Sequence, residues 1–207
     1  MSKVISFLNG KGGVGKTTTA INVATAISRK GFSVVVVDTD PQGSISNWHE
    51  EDKAKFDLAE ADSEKDVYTV RKMLKSYDYI IIDGAAAISA ISAAAVMVSD
   101  VVIIPVTASP LDFSACAAII ATIEARQDLQ PVTARFVITK KVTNAKMLDV
   151  LKSSIADTGI PALRTGTTQR QSYIKTMVDG GTVFDTDDGQ VKGEIDVLTN
   201  EILELLS

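Results

Sequence analysis

The feature that most constrains this chain is an octapeptide near its start, Gly10-Lys11-Gly12-Gly13-Val14-Gly15-Lys16-Thr17. It satisfies G-x-x-x-x-G-K-[ST] at every fixed position. It lies after an apolar β-branched run, Val4 to Leu8, and before a stretch with helical composition, Lys16 to Lys30. Glycines there let the backbone wrap a phosphate group and aim its N–H donors inward, and the positive end of the following helix reinforces the attraction. Lys16 can reach β- and γ-phosphates, and the Thr17 hydroxyl can ligate Mg²⁺. Thr18 adds another hydroxyl beside them. A glycine-rich turn without a ligand is the competing explanation; pattern and context together disfavour it.

A strand–loop–helix start implies a type of fold, and the rest of the chain agrees. Ser33 to Val37 is nearly continuous valine, as in a strand buried on both faces. Tyr79 to Ile82, Val101 to Ile104 and Arg135 to Thr139 repeat the theme, with helical segments between them at Lys65 to Ser76, Ala87 to Val98 and Asp112 to Gln127. Alternating strands and helices predict an α/β fold: a mostly parallel sheet with helices on both faces. Ser109-Pro110-Leu111-Asp112 reads as a helix start. Asp185 to Gly189 reads as an acidic turn and Glu194 to Leu206 as a closing amphipathic helix. At roughly 150 residues per domain, 207 residues predict a single domain over 1–207.

Composition narrows the function classes. The formal charge of −5 argues against a protein that coats nucleic acid by charge alone. One cysteine, Cys116, can form neither an internal disulfide nor a multi-cysteine metal site, and its alanine-rich setting suggests a small core residue. The Ala/Ile/Val-rich stretch from Ala85 to Val106 is broken by serines, Asp100 and Pro105, so it does not read as a membrane span. The expected location is the cytoplasm. His49, the only histidine, has three acids beside it but no second nitrogen or sulfur ligand, so it reads as a surface residue.

Carboxylates follow two of the strands. Asp38 and Asp40 end the valine strand in Val37-Asp38-Thr39-Asp40-Pro41-Gln42. Two residues apart on a strand they would face the same side, with Pro41 turning the chain out of the sheet. Near a phosphate loop they suit metal hydration and water orientation. Asp83 closes Tyr79-Ile80-Ile81-Ile82, the arrangement in which a strand-end aspartate meets Mg²⁺, often through water. Gly84 would then allow close approach to the γ-phosphate.

With Lys11 as a second lysine in the loop, KGGVGKTT resembles the deviant Walker A motif of the ParA/MinD ATPase family. DTDPQ resembles that family's first switch. Ser63 to Tyr68, Ala94 to Asp100 and Gln169-Arg170-Gln171 extend the resemblance along most of the chain, most closely to the small ParF-type plasmid partition ATPases. The resemblance implies that ATP joins two copies in a sandwich dimer, Lys11 reaching the partner's phosphates. It ties Asp40 to hydrolysis and to the metal, with Asp38 in support, and gives ATP, ADP and Mg²⁺ as ligands. It places Thr139, Lys140 and the segment from Pro105 to Asp112 near the adenine, although helix capping explains 105–112 equally well. It implies a partition function: DNA segregation through dimers and polymers, with a centromere-binding partner supplying an arginine finger. Basal hydrolysis would be slow, since the motif segments hold no obvious arginine. Arg164, Arg170 and Lys175 would be a salt-dependent contact to nonspecific DNA, on the nucleoid; a solvated face accounts for them as well. No N-terminal helix-turn-helix extension is expected. The closing helix is acidic, unlike a membrane-surface helix. The alternatives are a chromosome-type ParA or MinD-like positioning ATPase, and a nucleotide-gated scaffold with negligible turnover, to which Ala85-Ala86-Ala87 lends weight. A nitrogenase-type reductase would need bridging cysteines that Cys116 alone does not provide.

Overall fold

The computed structural model describes all residues except 42, 44, 46, 47, 49–53, 88, 128, 143 and 144, and the side chains of all those described but 110, 111 and 145. His49 and Gln42 lie outside the described residues. The strands are β1 (Lys3–Phe7), β2 (Val34–Asp38), β3 (Asp57–Glu60), β4 (Tyr79–Asp83), β5 (Val101–Val106) and β6 (Thr133–Ile138). The helices are α1 (Lys16–Arg29), α2 (Glu64–Met73), α3 (Ala90–Val98), α4 (Pro110–Ser114), α5 (Ala117–Gln127), α6 (Ala145–Asp157), α7 (Gln171–Val178) and α8 (Gly189–Glu204).

The strands form one sheet in the order β3-β2-β4-β1-β5-β6. Every pairing is parallel, for example Val4 with Ile80 and Val35 with Ile80. A strand's alternate side chains face opposite sides of a sheet, and the core divides accordingly. Val35, Val37, Ile80, Ile82, Val102 and Ile104 pack with α2, α3, α5 and α6. Their neighbours Val34, Val36, Ile81, Val101 and Ile103 pack with α1 and α8. The expected two-faced α/β architecture is therefore present. No helix among the described residues is long and apolar enough to cross a membrane.

Several boundaries differ from expectation, each for a local reason. β3 is an edge strand, paired only to β2, and its sequence DLAE has acids at both ends and little apolar signal. The helix expected over Asp112 to Gln127 is two helices, α4 and α5. Ser109 is the N-cap of α4 with proline in its first turn, as the sequence suggested. α8 begins five residues before Glu194. Asp188, within the acidic turn, caps it by accepting the N–H groups of Gln190 and Val191. Cys116 is fully buried, as expected of a core residue.

Candidate nucleotide site

Parallel strands open their carboxyl ends along one edge, and ligands of such sheets bind beyond it. Here that edge collects the Gly10–Thr18 loop after β1, Asp38 at the end of β2, Asp83 at the end of β4 and Thr139-Lys140 after β6.

The loop turns into α1 through two left-handed residues, Gly13 at φ 75° and Gly15 at φ 91°, conformations that favour glycine. Its entry is fixed by Asn9, a buried residue that sequence reasoning passed over. The Asn9 amide donates to Pro105 O at 2.7 Å and to Cys116 Sγ at 3.3 Å, and its Oδ1 accepts the Lys11 N–H at 2.9 Å. Lys16 is buried, and its Nζ donates to Lys11 O at 3.0 Å. Burial lowers the pKa of this amine, while Asp83 and Asp40 pull it back up. The Lys11 residue, by contrast, is exposed.

Thr17 Oγ1 donates to Asp83 Oδ2 at 2.6 Å. Asp83 is buried, and its carboxyl is pushed up to about 7, first by burial and further by Asp38 and Asp40, against the Thr17 hydrogen bond and Lys16. Its other oxygen, Oδ1, is buried with no hydrogen-bond partner. A buried acceptor without a donor is costly. A divalent cation beside Thr17 and Asp83 would satisfy it, so the donor set fits Mg²⁺. Among the described residues no group of three or more metal-binding side chains occurs. That suits an ion which takes the rest of its oxygens from phosphates and water.

The two switch aspartates do not share a strand face. β2 ends at Asp38, and the chain leaves the sheet there, before Pro41, through a side-chain turn: Asp38 Oδ1 accepts the Asp40 N–H at 2.9 Å. Asp38 Oδ2 accepts the Ile45 N–H at 3.0 Å. Asp38 is buried and holds this loop, and Asp40 stands half-buried upon it. Thr39 ties the loop to β4, its N–H and Oγ1 both donating to Asp83 O, at 3.1 and 2.8 Å. Gly84 also has a packing role. A Cβ there would sit 2.5 Å from Leu8 Cδ2 and 3.1 Å from Phe7 O.

Beside the loop is a cleft of about 350 Å³. Gly15, Thr18, Thr139 and Lys140 line one part of it; Thr167 to Arg170 and the α7 residues Tyr173, Ile174, Met177 and Val178 line the rest. Thr18, Thr139 and Lys140 thus meet at one cleft beside the loop. Pro105 does not line it. Pro105 is buried within β5, opposite Val137, and acts through its carbonyl on Asn9. Sequence reasoning singled out Gln169-Arg170-Gln171 and Lys175 but not this segment's place as a wall of the cleft, because it matches no fixed-spacing motif.

Two of the three expected basic residues lie near carboxylates. Arg164 approaches Glu201 at 3.4 Å and Glu204 at 3.7 Å. Arg170 lines the cleft and meets Asp188 at 3.7 Å. Lys175 is exposed on α7.

A glycine loop with a buried lysine, a threonine–aspartate pair at the next strand end and a base-sized cleft alongside define a P-loop nucleotide-binding domain. The chain belongs to the CobQ/CobB/MinD/ParA nucleotide-binding family, whose domain residues 5–180 match. It is 33% identical over 183 residues to the maintenance of carboxysome distribution protein A of Gloeobacter kilaueensis, covering 86% of this chain and 82% of that one. Its fold is shared with a plasmid partition protein of Borrelia burgdorferi bound to AMPPNP, at TM-score 0.76 and 22% identity, covering 100% of this chain and 98% of that one. It is shared equally with the septum site-determining protein MinD of Pyrococcus horikoshii complexed with Mg-ADP, at TM-score 0.78 and 17% identity, covering 100% and 98%. The ParA/MinD family expectation holds. The narrower ParF likeness is not what these relatives carry.

Proposed function

We propose that this chain is a ParA-type positioning ATPase that binds ATP with Mg²⁺, pairs with a second copy through Lys11, and hydrolyses ATP slowly until a partner stimulates it. One observation carries the reading: of the two loop lysines, Lys16 is buried and Lys11 is exposed. An exposed lysine within the loop is suited to a partner's phosphates. Thr17 and Asp83 would hold Mg²⁺, which neutralises charge on the β- and γ-oxygens. Lys16 and the loop N–H groups bind the phosphates, and Asp38 sets the loop from which Asp40 orients the attacking water. The products are ADP and phosphate. The ligands borne by the Borrelia and Pyrococcus proteins, AMPPNP and Mg-ADP, agree with this set.

The cargo is plasmid DNA by the ParF resemblance, reached through a centromere-binding partner that supplies the arginine finger, with polymers as the assembled form. Identity to a carboxysome distribution protein across most of the chain favours a second cargo, a protein body, for the same engine. Because Arg164 and Arg170 already face carboxylates, any contact with nonspecific DNA would rest on the dimer and be weakened by salt.

Hydrolysis and light scattering followed together, with ATP and GTP, test the engine. ATP-dependent assembly and turnover in the wild type, both lost in Lys11→Ala, are expected. Assembly and turnover unchanged in that variant would reduce the reading to a P-loop ATPase without the trans lysine. Assembly without turnover, even with a partner, would favour the scaffold.

A further inference from the structure

Beside the loop, Lys140 is the one non-glycine with positive φ among the described residues, at 49°. A left-handed lysine is uncommon and holds its place only where neighbours fix it. Its Nζ donates to Gly13 O at 2.6 Å, and the adjacent Thr139 Oγ1 donates to Val14 O at 2.7 Å. Two consecutive residues after β6 thus hold two consecutive carbonyls of the phosphate loop. Carbonyls held on that side leave the loop's N–H groups for the phosphates.

What fixes Lys140 is the segment 167–169. Thr167 Oγ1 accepts the Lys140 N–H at 3.4 Å, Thr167 O accepts the Lys141 N–H at 2.9 Å, and Lys141 O accepts the Gln169 N–H at 3.1 Å. That segment is not part of the sheet, so its outer donors need partners. They find them on α8. Glu194 Oε2 accepts the Thr168 N–H at 3.0 Å, and Oε1 accepts Thr168 Oγ1 at 2.7 Å. Tyr173 Oη donates to Glu194 Oε2 at 3.1 Å, and burial together with Glu194 raises the pKa of that phenol. Glu201, two turns along the same helix face, accepts the Arg164 and Thr165 N–H groups at 2.7 and 3.0 Å. The acidic face of α8 therefore substitutes for a neighbouring strand along 164–168.

We infer that Glu194 is a positioning residue for nucleotide binding, acting through Thr168 and the 167–169 segment on Lys140 and so on the phosphate loop. The inference rests on the nucleotide-binding reading above. Thr168 and Tyr173 also line the cleft, so the same carboxylate sets its width. Its loss should weaken binding and leave the chemical step alone, because Lys16, Thr17 and Asp83 make no contact with this network.

The test compares wild type with Glu194→Ala, Glu194→Gln and Lys140→Ala by mant-ATP binding, steady-state ATP hydrolysis and thermal melting. A hydrogen bond to a charged group is worth roughly one factor of ten or more. Glu194→Ala should therefore raise both the mant-ATP Kd and KM about tenfold, with kcat within about twofold of wild type. Glu194→Gln, which keeps one acceptor for Thr168, should recover part of the affinity. Combining Glu194→Ala with Lys140→Ala should cost less than the product of the two, because both act on one chain of contacts. A lower melting temperature with unchanged Kd and KM would make Glu194 merely structural and overturn the inference. If Glu194→Ala does not fold, Glu194→Gln decides: a raised Kd supports the relay, and a wild-type Kd refutes it. A wild type that binds no mant-ATP overturns the nucleotide reading and the relay together; variants equal to a wild type that binds overturn the relay alone.

Discussion

Gly166 offers a sharp perturbation of the base-side wall. A Cβ built there would fall well inside contact distance of the Ile138 carbonyl oxygen, with Lys141 Cε at 2.9 Å and the Ile138 carbonyl carbon at 3.1 Å. The lysine end could swing away; the backbone carbonyl at the end of β6 could not. Gly166→Ala must therefore push the segment off β6 until ordinary contact, 3.4 Å or more, is restored. The bonds that would stretch are Thr167 N–H to Ile138 O at 3.1 Å, Lys141 N–H to Thr167 O at 2.9 Å and Gln169 N–H to Lys141 O at 3.1 Å. At about 1 kcal/mol net for each, the loss is about 2–4 kcal/mol. That is a large share of the roughly 5–15 kcal/mol that stabilises a domain. For a chain of this size each kcal/mol is worth about 2–4 °C, so the melting temperature should fall on the order of 5–15 °C. Mant-ATP affinity should fall as well, because Lys140 leans on the same segment. Gly193, inside α8 with nothing within 4 Å of a built Cβ, is the control. Gly193→Ala should stabilise by about 0.5–1 kcal/mol. A Gly166→Ala protein that melts with wild type and binds nucleotide equally well would refute the packing argument.

Two further outcomes follow from buried groups. Asp83 is held as an acid near pH 7 without a cation, so between its unfolded pKa of 3.8 and about 7 the folded chain binds the extra proton, and stability falls as pH rises through that window. Asp83→Asn should remove this slope, raising the melting temperature of the nucleotide-free protein at pH 7.5 while abolishing Mg²⁺-dependent hydrolysis; melts that keep the same pH slope would contradict it. The Cys116 thiol is fully buried, and burial pushes it up to about 11. At pH 8 it should react with a thiol reagent only as fast as the protein opens, and rapidly in denaturant, whereas fast labelling of the native protein would contradict its place beneath Asn9.

Much of the phosphate side was legible in the sequence because its chemistry fixes its spacing. Gly13 and Gly15 must be glycine to turn left-handed, and Lys16 and Thr17 must follow them at the helix start. Asp83 was legible because an acid closing an isoleucine run has few uses. Asp38 was legible as an acid closing a valine strand, but sequence does not show that its two oxygens accept the N–H groups of residues 40 and 45. The base side was harder. Thr139 and Lys140 were expected there, yet what holds them comes from Thr167, Thr168 and Glu194, about 30 to 55 positions away, through backbone bonds that leave no residue signature. Glu194 was legible only as one acid of an amphipathic closing helix, because amphipathic periodicity reports only the apolar stripe. The ion pair of Arg170 with Asp188 was hidden for a related reason: positive charge is visible in sequence, and its carboxylate neighbour is not. β3 was missed because an edge strand needs no continuous apolar run.

A sequence consistent at every level breaks local rules only where something other than stability is served. Among the described residues three side chains break them clearly. Lys16 is a buried amine, Asp83 a buried carboxyl with an unpartnered oxygen, and Lys140 a left-handed lysine. The other buried atoms without partners weigh less: Arg126 Nε belongs to a guanidinium already bonded to Val96 O and Ser99 O, and Thr199 Oγ1 is a single hydroxyl on α8. Lys16 at the start of α1, Asp83 at the end of β4 and Lys140 just after β6 converge on one loop: Lys16 on the Lys11 carbonyl, Asp83 on Thr17 and Lys140 on the Gly13 carbonyl. No packing requirement brings a cation, an unsatisfied acid and a strained backbone to one place. A phosphate with its metal does: it gives Lys16 an anion, gives Asp83 a cation, and gives the loop that Lys140 holds a ligand for its N–H groups.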